Sequence, residues 1–146
     1  MSILSQNQTK EILQKFHVIA VVGLSADEEK PSHEVAEYMK RHGYRIIPVN
    51  PFAGEVLDEK SYKSLLDMPA DVQKTIEIVD IFRRPADVPP IVEQAIQLKQ
   101  TNGKPFVVWM QMGIVNIDAA EKALKAGLVV VMDRCIMVEH GNLSSV

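Results

Sequence analysis

The chain has 146 residues, with 16 Lys and Arg against 19 Asp and Glu, so its formal net charge is −3. Apolar residues make up 47% and charged residues 24%, the balance of a folded globular domain, which excludes a disordered tail, a collagen-like repeat and a disulfide scaffold. No excess of positive charge exists to coat a polyanion, so nucleic acid is not an expected partner.

From the amino end, the segment Met1 to Lys15 is polar, unlike a secretory signal. Within it, Ser5 to Phe16 offers Ile12, Leu13 and Phe16 as the apolar stripe of a first helix. A first strand is expected at His17 to Val22, then a loop from Gly23 to His33. The next helix runs from Pro31 to His42, with Val35, Met39 and His42 on one stripe and Gly43 as its stop. A second strand is expected at Tyr44 to Val49, followed by the stiff turn Asn50-Pro51-Phe52-Ala53-Gly54. The stretch from Gly54 to Asp71 is less regular, and a short helix at Tyr62 to Leu66 is its best reading.

Ile76 to Phe82 is a third strand, ending at Arg83-Arg84-Pro85. Val88, Ile91, Val92, Ala95 and Ile96 mark a helix reaching Gln100, stopped near Asn102-Gly103. Phe106 to Met110 is a fourth strand, and Ala119, Ala120, Ala123 and Leu124 mark a helix before Gly127. Leu128 to Met132 is the fifth strand, followed by the loop Asp133 to His140. No run approaches the ~20 apolar residues of a membrane helix, so a cytoplasmic protein without a membrane partner is expected.

Continuous apolar runs without alternation suit strands buried on both faces. Strand–helix alternation with short connections predicts an α/β fold over residues 1–146 as one domain. It is a Rossmann-like, doubly wound parallel sheet of about five strands, order 3-2-1-4-5, with helices on both faces. Pro48 conflicts with that order, because it would place a proline inside a central strand. The apolar stripes suit a homodimer as well as a core.

In such sheets ligands bind beyond the carboxyl ends of the strands, at the switch point, here expected between strands 1 and 4. Gly23 lets the first loop turn sharply, and Pro31, Ser32 and His33 open a helix whose free N–H groups suit phosphate oxygens. Ser25, Lys30 and Ser32 add donors; an ordinary turn with a helix cap reads the same residues without a ligand. Arg83 and Arg84 suit phosphate or carboxylate, or else a solvated pair bonding helix ends. Gln111 and Gly113 follow the fourth strand at the expected switch point. The glycine pattern G-x-G-x-x-G is absent, and Pro48-Val49-Asn50-Pro51 carries no carboxylate for a ribose, which disfavours NAD. Cys135, Glu139 and His140 match a nucleophile, acid and base by type alone. No metal-type cysteine pair exists, and Cys135 has no partner in the chain for a disulfide.

Six segments together resemble the small, stand-alone CoA-binding domain proteins. They are Val22-Gly23-Leu24-Ser25, Lys30-Pro31-Ser32-His33, Val49-Asn50-Pro51, Asp80-Ile81-Phe82-Arg83, Trp109-Met110-Gln111-Met112-Gly113 and Asp133-Arg134-Cys135. That family is similar to the amino-terminal domain of the succinyl-CoA synthetase alpha subunit. The resemblance implies coenzyme A or an acyl-CoA at the carboxyl edge. Gly23, Leu24 and Ser25 with Lys30, Pro31, Ser32 and His33 would face the phosphates, and Asn50 and Pro51 would flank the nucleotide. Phe82, Arg83, Gln111 and Gly113 would border the pantetheine arm. It implies a non-catalytic binder, carrier or sensor, because in the synthetases the phosphorylated histidine and the nucleotide-grasping machinery lie outside this domain. The alternatives are an acyl-CoA-acting enzyme using Cys135 or His140, and an NAD-type dinucleotide-binding regulator.

Overall fold

The computed structural model describes residues 6–145; Ser5 of the predicted first helix, the residues before it and Val146 lie outside the described residues. Each of the five apolar runs becomes a strand, shortened by a residue or two at its ends. In chain order the strands are β1 (Val18–Val22), β2 (Arg45–Val49), β3 (Glu55–Val56), β4 (Glu59–Lys60), β5 (Ile78–Ile81), β6 (Val107–Met110) and β7 (Val129–Val131). The helices are α1 (Gln6–Lys15), α2 (Pro31–Arg41), α3 (Ala70–Gln73), α4 (Val88–Asn102), α5 (Ile117–Lys125) and α6 (Ile136–Gly141).

Five strands form one parallel sheet, so the α/β Rossmann-like class stands. The strand order is corrected: it is β2-β1-β5-β6-β7, with the second strand at the edge and the third beside the first. Pro48 supplies the physical reason. Arg45 N–H donates to His17 O and Gly23 N–H to Val49 O, so alternate residues of β2 face β1. Pro48 faces the other way, its carbonyl accepting from Tyr62 N–H at 3.1 Å. Its missing N–H therefore costs no bond to β1, a condition that only an edge strand meets. β5, buried along its whole length, takes the interior place instead.

Side chains alternate between two apolar layers. On one face Ala20, Val22, Val79, Ile81, Val108 and Met110 pack against Val88, Val92, Ala95 and Leu98 of α4 and Ala119, Ala120 and Ala123 of α5. On the other, Ile19, Val21, Ile46, Ile78 and Trp109 pack against Ile12 and Leu13 of α1, Val35, Ala36 and Met39 of α2, and Ile136 of α6. Each buried Val, Leu, Ile or Met among them contributes roughly 1.5–3 kcal/mol of transfer free energy, so two filled layers suffice without cross-links.

The irregular stretch departs from expectation. Tyr62 is extended, bridging Val49 in parallel, and the helical turn begins only at Leu65–Asp67. Ahead of it β3 and β4 form a hairpin whose two turn residues, Leu57 and Asp58, have φ of 56° and 60°. Positive φ at both positions defines a type I′ turn. The hairpin is tied to α2 by the Lys40–Glu59 ion pair at 3.0 Å and by a bond from Lys40 Nζ to Leu57 O. The last loop is also corrected, since Ile136–Gly141 is helical.

Candidate functional site

Because the chain winds from β1 outward to β2 and later returns to place β5 on β1's other side, the winding reverses between β1 and β5. The switch point therefore lies there, not beside the fourth strand as expected, and it brings Val22-Gly23 next to Ile81-Phe82-Arg83. Gly23 has φ +90°, and a Cβ placed on it would stand 2.3 Å from Phe82 O and 3.0 Å from Arg83 Cδ. Only glycine lets the two loops close to this distance.

Three overlapping segments of one cleft open from this point. The central one, of about 320 Å³, is lined by Gly23, Ser25, Asn50, Pro51, Phe52, Phe82, Arg83, Arg84 and Asp87. A second, of about 400 Å³, extends over the start of α2 and adds Lys30, Pro31, Ser32 and Ile114. The third, of about 310 Å³, extends toward α4 and adds Lys63, Ser64, Ala86, Pro90, Ile91 and Gln94. Each is at the small end of ligand-site volumes, so the cleft as a whole suits an elongated ligand.

Local hydrogen bonds shape the cleft walls. Ser25 N–H donates to the buried Ser32 Oγ at 3.0 Å, folding the first loop onto α2. Ser25 Oγ accepts from Asp27 N–H and Asp27 Oδ1 from Glu29 N–H, which winds the acidic part of the loop into solvent. Asp27, Glu28 and Glu29 are exposed, and none lines the cleft. Asn50 spans two loops: Nδ2 donates to Leu24 O at 3.0 Å, and Oδ1 accepts from Phe52 N–H at 2.8 Å. Phe52 itself is 93% exposed at the cleft's lip.

Asp87 governs the charge at the centre. Its Oδ2 lies 3.0 Å from Arg84 Nε and 3.6 Å from an Arg83 terminal nitrogen. The Arg84 hydrogen bond foremost, with both guanidinium charges, holds its carboxyl below the ordinary range. Lys30 and Lys63 form no ion pair among the described residues.

The structure thus brings together Gly23, Ser25, Lys30, Pro31, Ser32, Asn50, Pro51, Phe82 and Arg83. It sets four other expected residues apart. Leu24 is fully buried, and only its carbonyl meets a loop residue, Asn50. His33 is buried on α2 and lines no segment. Gln111 is buried, and its Oε1 accepts from Ile136 N–H at 3.0 Å, so it caps α6. Gly113, with φ +84° and open space where a Cβ would be, donates its N–H to Asp133 Oδ1 at 2.6 Å. Its glycine serves the turn rather than close approach of a ligand. Lys63, Ser64, Asp87 and Gln94 carried no motif that sequence reading could seize; Lys63 reaches the cleft because Tyr62 is pinned to Val49.

No cysteine or histidine lines any of the three segments. Cys135 packs in the apolar layer beneath α6, and His140 Nδ1 is 2.9 Å from Tyr38 Oη. Burial, then the nearby His42, lowers the His140 pKa. Asp80 is buried between Val21 and Trp109 with Oδ1 unpartnered, and burial pushes its carboxyl well above the ordinary range. Among the described residues no group of His, Cys, Asp and Glu is arranged to hold a metal ion, and no helix is long and apolar enough to cross a membrane. Chemically, the cleft offers a helix start, hydroxyls, an exposed aromatic ring and cations, which suit an anionic ligand with a flat ring system.

The chain is similar to known proteins along most of its length. Protein YneT of Bacillus subtilis (strain 168) is 40% identical over 136 residues, which cover 93% of this chain and 94% of that one. A crystallised hypothetical protein from Pyrococcus horikoshii OT3 superposes with a TM-score of 0.86 at 40% identity, covering 97% of this chain and 93% of the other. Acetate--CoA ligase [ADP-forming] II of Archaeoglobus fulgidus is 34% identical over 91 residues, 61% of this chain but only 13% of the ligase. The family described as CoA binding domain matches residues 17–141, almost the whole sheet and its helices, and the chain belongs to that family.

Proposed function

We propose that the protein binds coenzyme A or an acyl-CoA along the carboxyl-edge cleft as a non-catalytic binder, carrier or sensor. The observation that carries this reading is the meeting of Gly23, Ser25 and the α2 start with Phe82 and Arg83 at the β1/β5 switch point. The diphosphate lies at the start of α2, where the helix dipole, Lys30 and Arg83 supply positive potential. The nucleotide lies against Pro51 and Phe52, and the pantetheine arm leaves past Phe82. Net charge is −3, yet with screening over about 8 Å the attraction depends on the charges beside the phosphates, Lys30 and Arg83 against the Asp87 carboxylate. The absence of cysteine and histidine from the cleft walls favours binding over acyl chemistry at Cys135 or His140. The same reading has the protein act in the cytoplasm on a small molecule, without nucleic-acid or membrane partners.

Titration calorimetry with CoA tests it. Saturable binding is expected, weakened about five- to tenfold in Lys30→Ala and in Arg83→Ala, the range of about 1 kcal/mol charge contacts. No binding, or unchanged affinity in both variants, overturns the assignment. Tight NADH binding that CoA does not displace would transfer the cleft to the dinucleotide reading. Light scattering on the eluting protein tests the homodimer, a mass of one chain overturning it.

A further inference from the structure

The cleft does not end at the nucleotide segment. It forks at Gly23 and Arg83, and the branch toward α4 runs between Lys63 and Ser64 on one wall and Pro90, Ile91 and Gln94 on the other, with Asp87, ion-paired to Arg83 and Arg84, at its mouth. The backbone that carries Lys63 is held firmly. Tyr62 N–H donates to Pro48 O at 3.1 Å, and Asn50 N–H donates to Tyr62 O at 2.9 Å. This two-bond bridge sets Lys63 beside the carboxyl end of β2, next to the Asn50-Pro51 turn. Ser64 is oriented too, its Oγ donating to Asp67 Oδ2 at 3.1 Å.

The charges along the cleft alternate. At the centre, Arg83 and Arg84 are shared with the Asp87 carboxylate. At the two ends stand Lys30 and Lys63, neither in an ion pair among the described residues. A single diphosphate would need one of these ends and not the other. Coenzyme A carries two separated anionic groups, the diphosphate and the phosphate on the ribose 3′-hydroxyl. We propose that Lys63 receives that 3′-phosphate in the α4 branch, with Gln94 on the facing wall, so that this branch distinguishes 3′-phosphorylated from unphosphorylated adenosine ends. This rests on the CoA reading above and adds to it the residue that sets specificity.

The test compares CoA with 3′-dephospho-CoA by calorimetry, for the full-length wild type, Lys63→Met and Lys63→Arg. Lys63 is exposed, so both variants are expected to keep the wild-type melting temperature. In the wild type, CoA binds about tenfold tighter than dephospho-CoA, the equivalent of about 1.4 kcal/mol. In Lys63→Met the preference falls to about twofold through weaker CoA binding alone, and Lys63→Arg restores it. Raising the salt concentration narrows the wild-type preference. A Lys30→Ala variant weakens both ligands equally, because both retain the diphosphate. If the two ligands bind the wild type equally, or if the preference survives in Lys63→Met, the assignment of Lys63 is overturned while CoA binding stands. If neither ligand binds the wild type, both readings fall together.

Discussion

The two ends of the parallel sheet have been built for opposite purposes. At the amino end the rings of His17, Tyr38, His42, Tyr44 and His140 cluster on one another, Tyr44 buried, Tyr38 and His140 half-buried, and His17 and His42 exposed. Tyr38 stacks on His42 with centroids 4.0 Å apart, His17 stacks on Tyr44 at 5.1 Å, and His140 meets Tyr44 edge-on at 5.5 Å. Tyr44 Oη closes the set with a 2.5 Å bond to Leu13 O, and burial, then the neighbouring Tyr38, pushes its pKa up to about 12. At the carboxyl end the corresponding space is left open, and its walls carry a constrained glycine, an exposed Phe52 and two lysines that form no ion pair among the described residues. The amino end spends its side chains on contacts with one another, whereas the carboxyl end leaves an open cleft with polar walls.

The largest expected effect comes from breaking the carboxyl end at its closest contact. Gly23→Ala forces a positive φ on a residue with a Cβ and drives that carbon into Phe82 O. The cost is about 3 kcal/mol, which lowers the melting temperature by roughly 10 °C in a domain of this size. CoA binding should fall in parallel, since the displaced Phe82-Arg83 loop forms the cleft's centre. An alanine variant with wild-type melting and affinity would show that the switch-point contact is not needed by either property.

How much of this was legible beforehand depended on whether a feature is local. That Gly23, Ser25, Lys30 and Arg83 share the carboxyl edge is legible because strand ends show as the ends of apolar runs, and the resemblance to the CoA-binding domain proteins adds Phe82. Pro48 conflicts with a central place for its strand, but which way its nitrogen faces depends on pairing with β1 and Tyr62, a fact absent from the local pattern. The Leu57-Asp58 turn lacks the glycine or asparagine that signals type I′ geometry. Its burden falls on tertiary contacts to α2 instead. Gln111 is expected beside the pantetheine arm on the resemblance alone, and nothing local to it shows what it meets. The start of α6, 25 residues on, comes beside it, and the Ile136 amide donates to the glutamine.

Asp80 fits neither end, and it offers the next effect in size. Its carboxyl sits within the α1/α2/α6 layer, with an oxygen that has no partner. The folded state retains its proton where the unfolded chain, with a value near 3.8, has lost it. Between those values the native state binds more protons, so stability from this group is full at low pH and is lost as pH rises. Asp80→Asn removes that dependence and keeps the shape. Urea melts should show the variant gaining on wild type as pH rises from 4 toward 8. A difference that does not change with pH would mean that the carboxyl titrates alike in both states.

The amino end is tested more gently by Tyr38→Phe, which deletes the hydroxyl bonded to His140 Nδ1. A loss of about 1 kcal/mol is expected, with CoA affinity unchanged, because neither residue touches the cleft. The histidine adds a pH signature of opposite sign to that of Asp80. Its folded pKa lies below the ordinary 6.5, so the unfolded chain binds more protons as pH falls past that value. Stability from the neutral His140 is full above 6.5 and declines below it, until the folded-state value is passed. Melting temperatures between pH 7 and 5 should fall more steeply in wild type than in His140→Gln; equal slopes would remove His140 from the acid response.

The smallest effect should arise at the cleft's centre, where the two descriptions meet. Asp87 gives Arg83 and Arg84 a structural partner and at the same time lowers the positive potential that a phosphate would meet. Asp87→Asn keeps a hydrogen-bond acceptor for Arg84 and removes the charge. If the guanidiniums serve an anionic ligand, CoA should bind about two- to threefold tighter in the variant, a gain limited by solvent screening of exposed pairs. The gain should vanish at high salt, and it should vanish altogether in an Arg83→Ala background, because the freed charge is then absent. Weaker binding in Asp87→Asn would assign the carboxylate the opposite role, that of holding Arg83 in the only position from which it reaches the ligand.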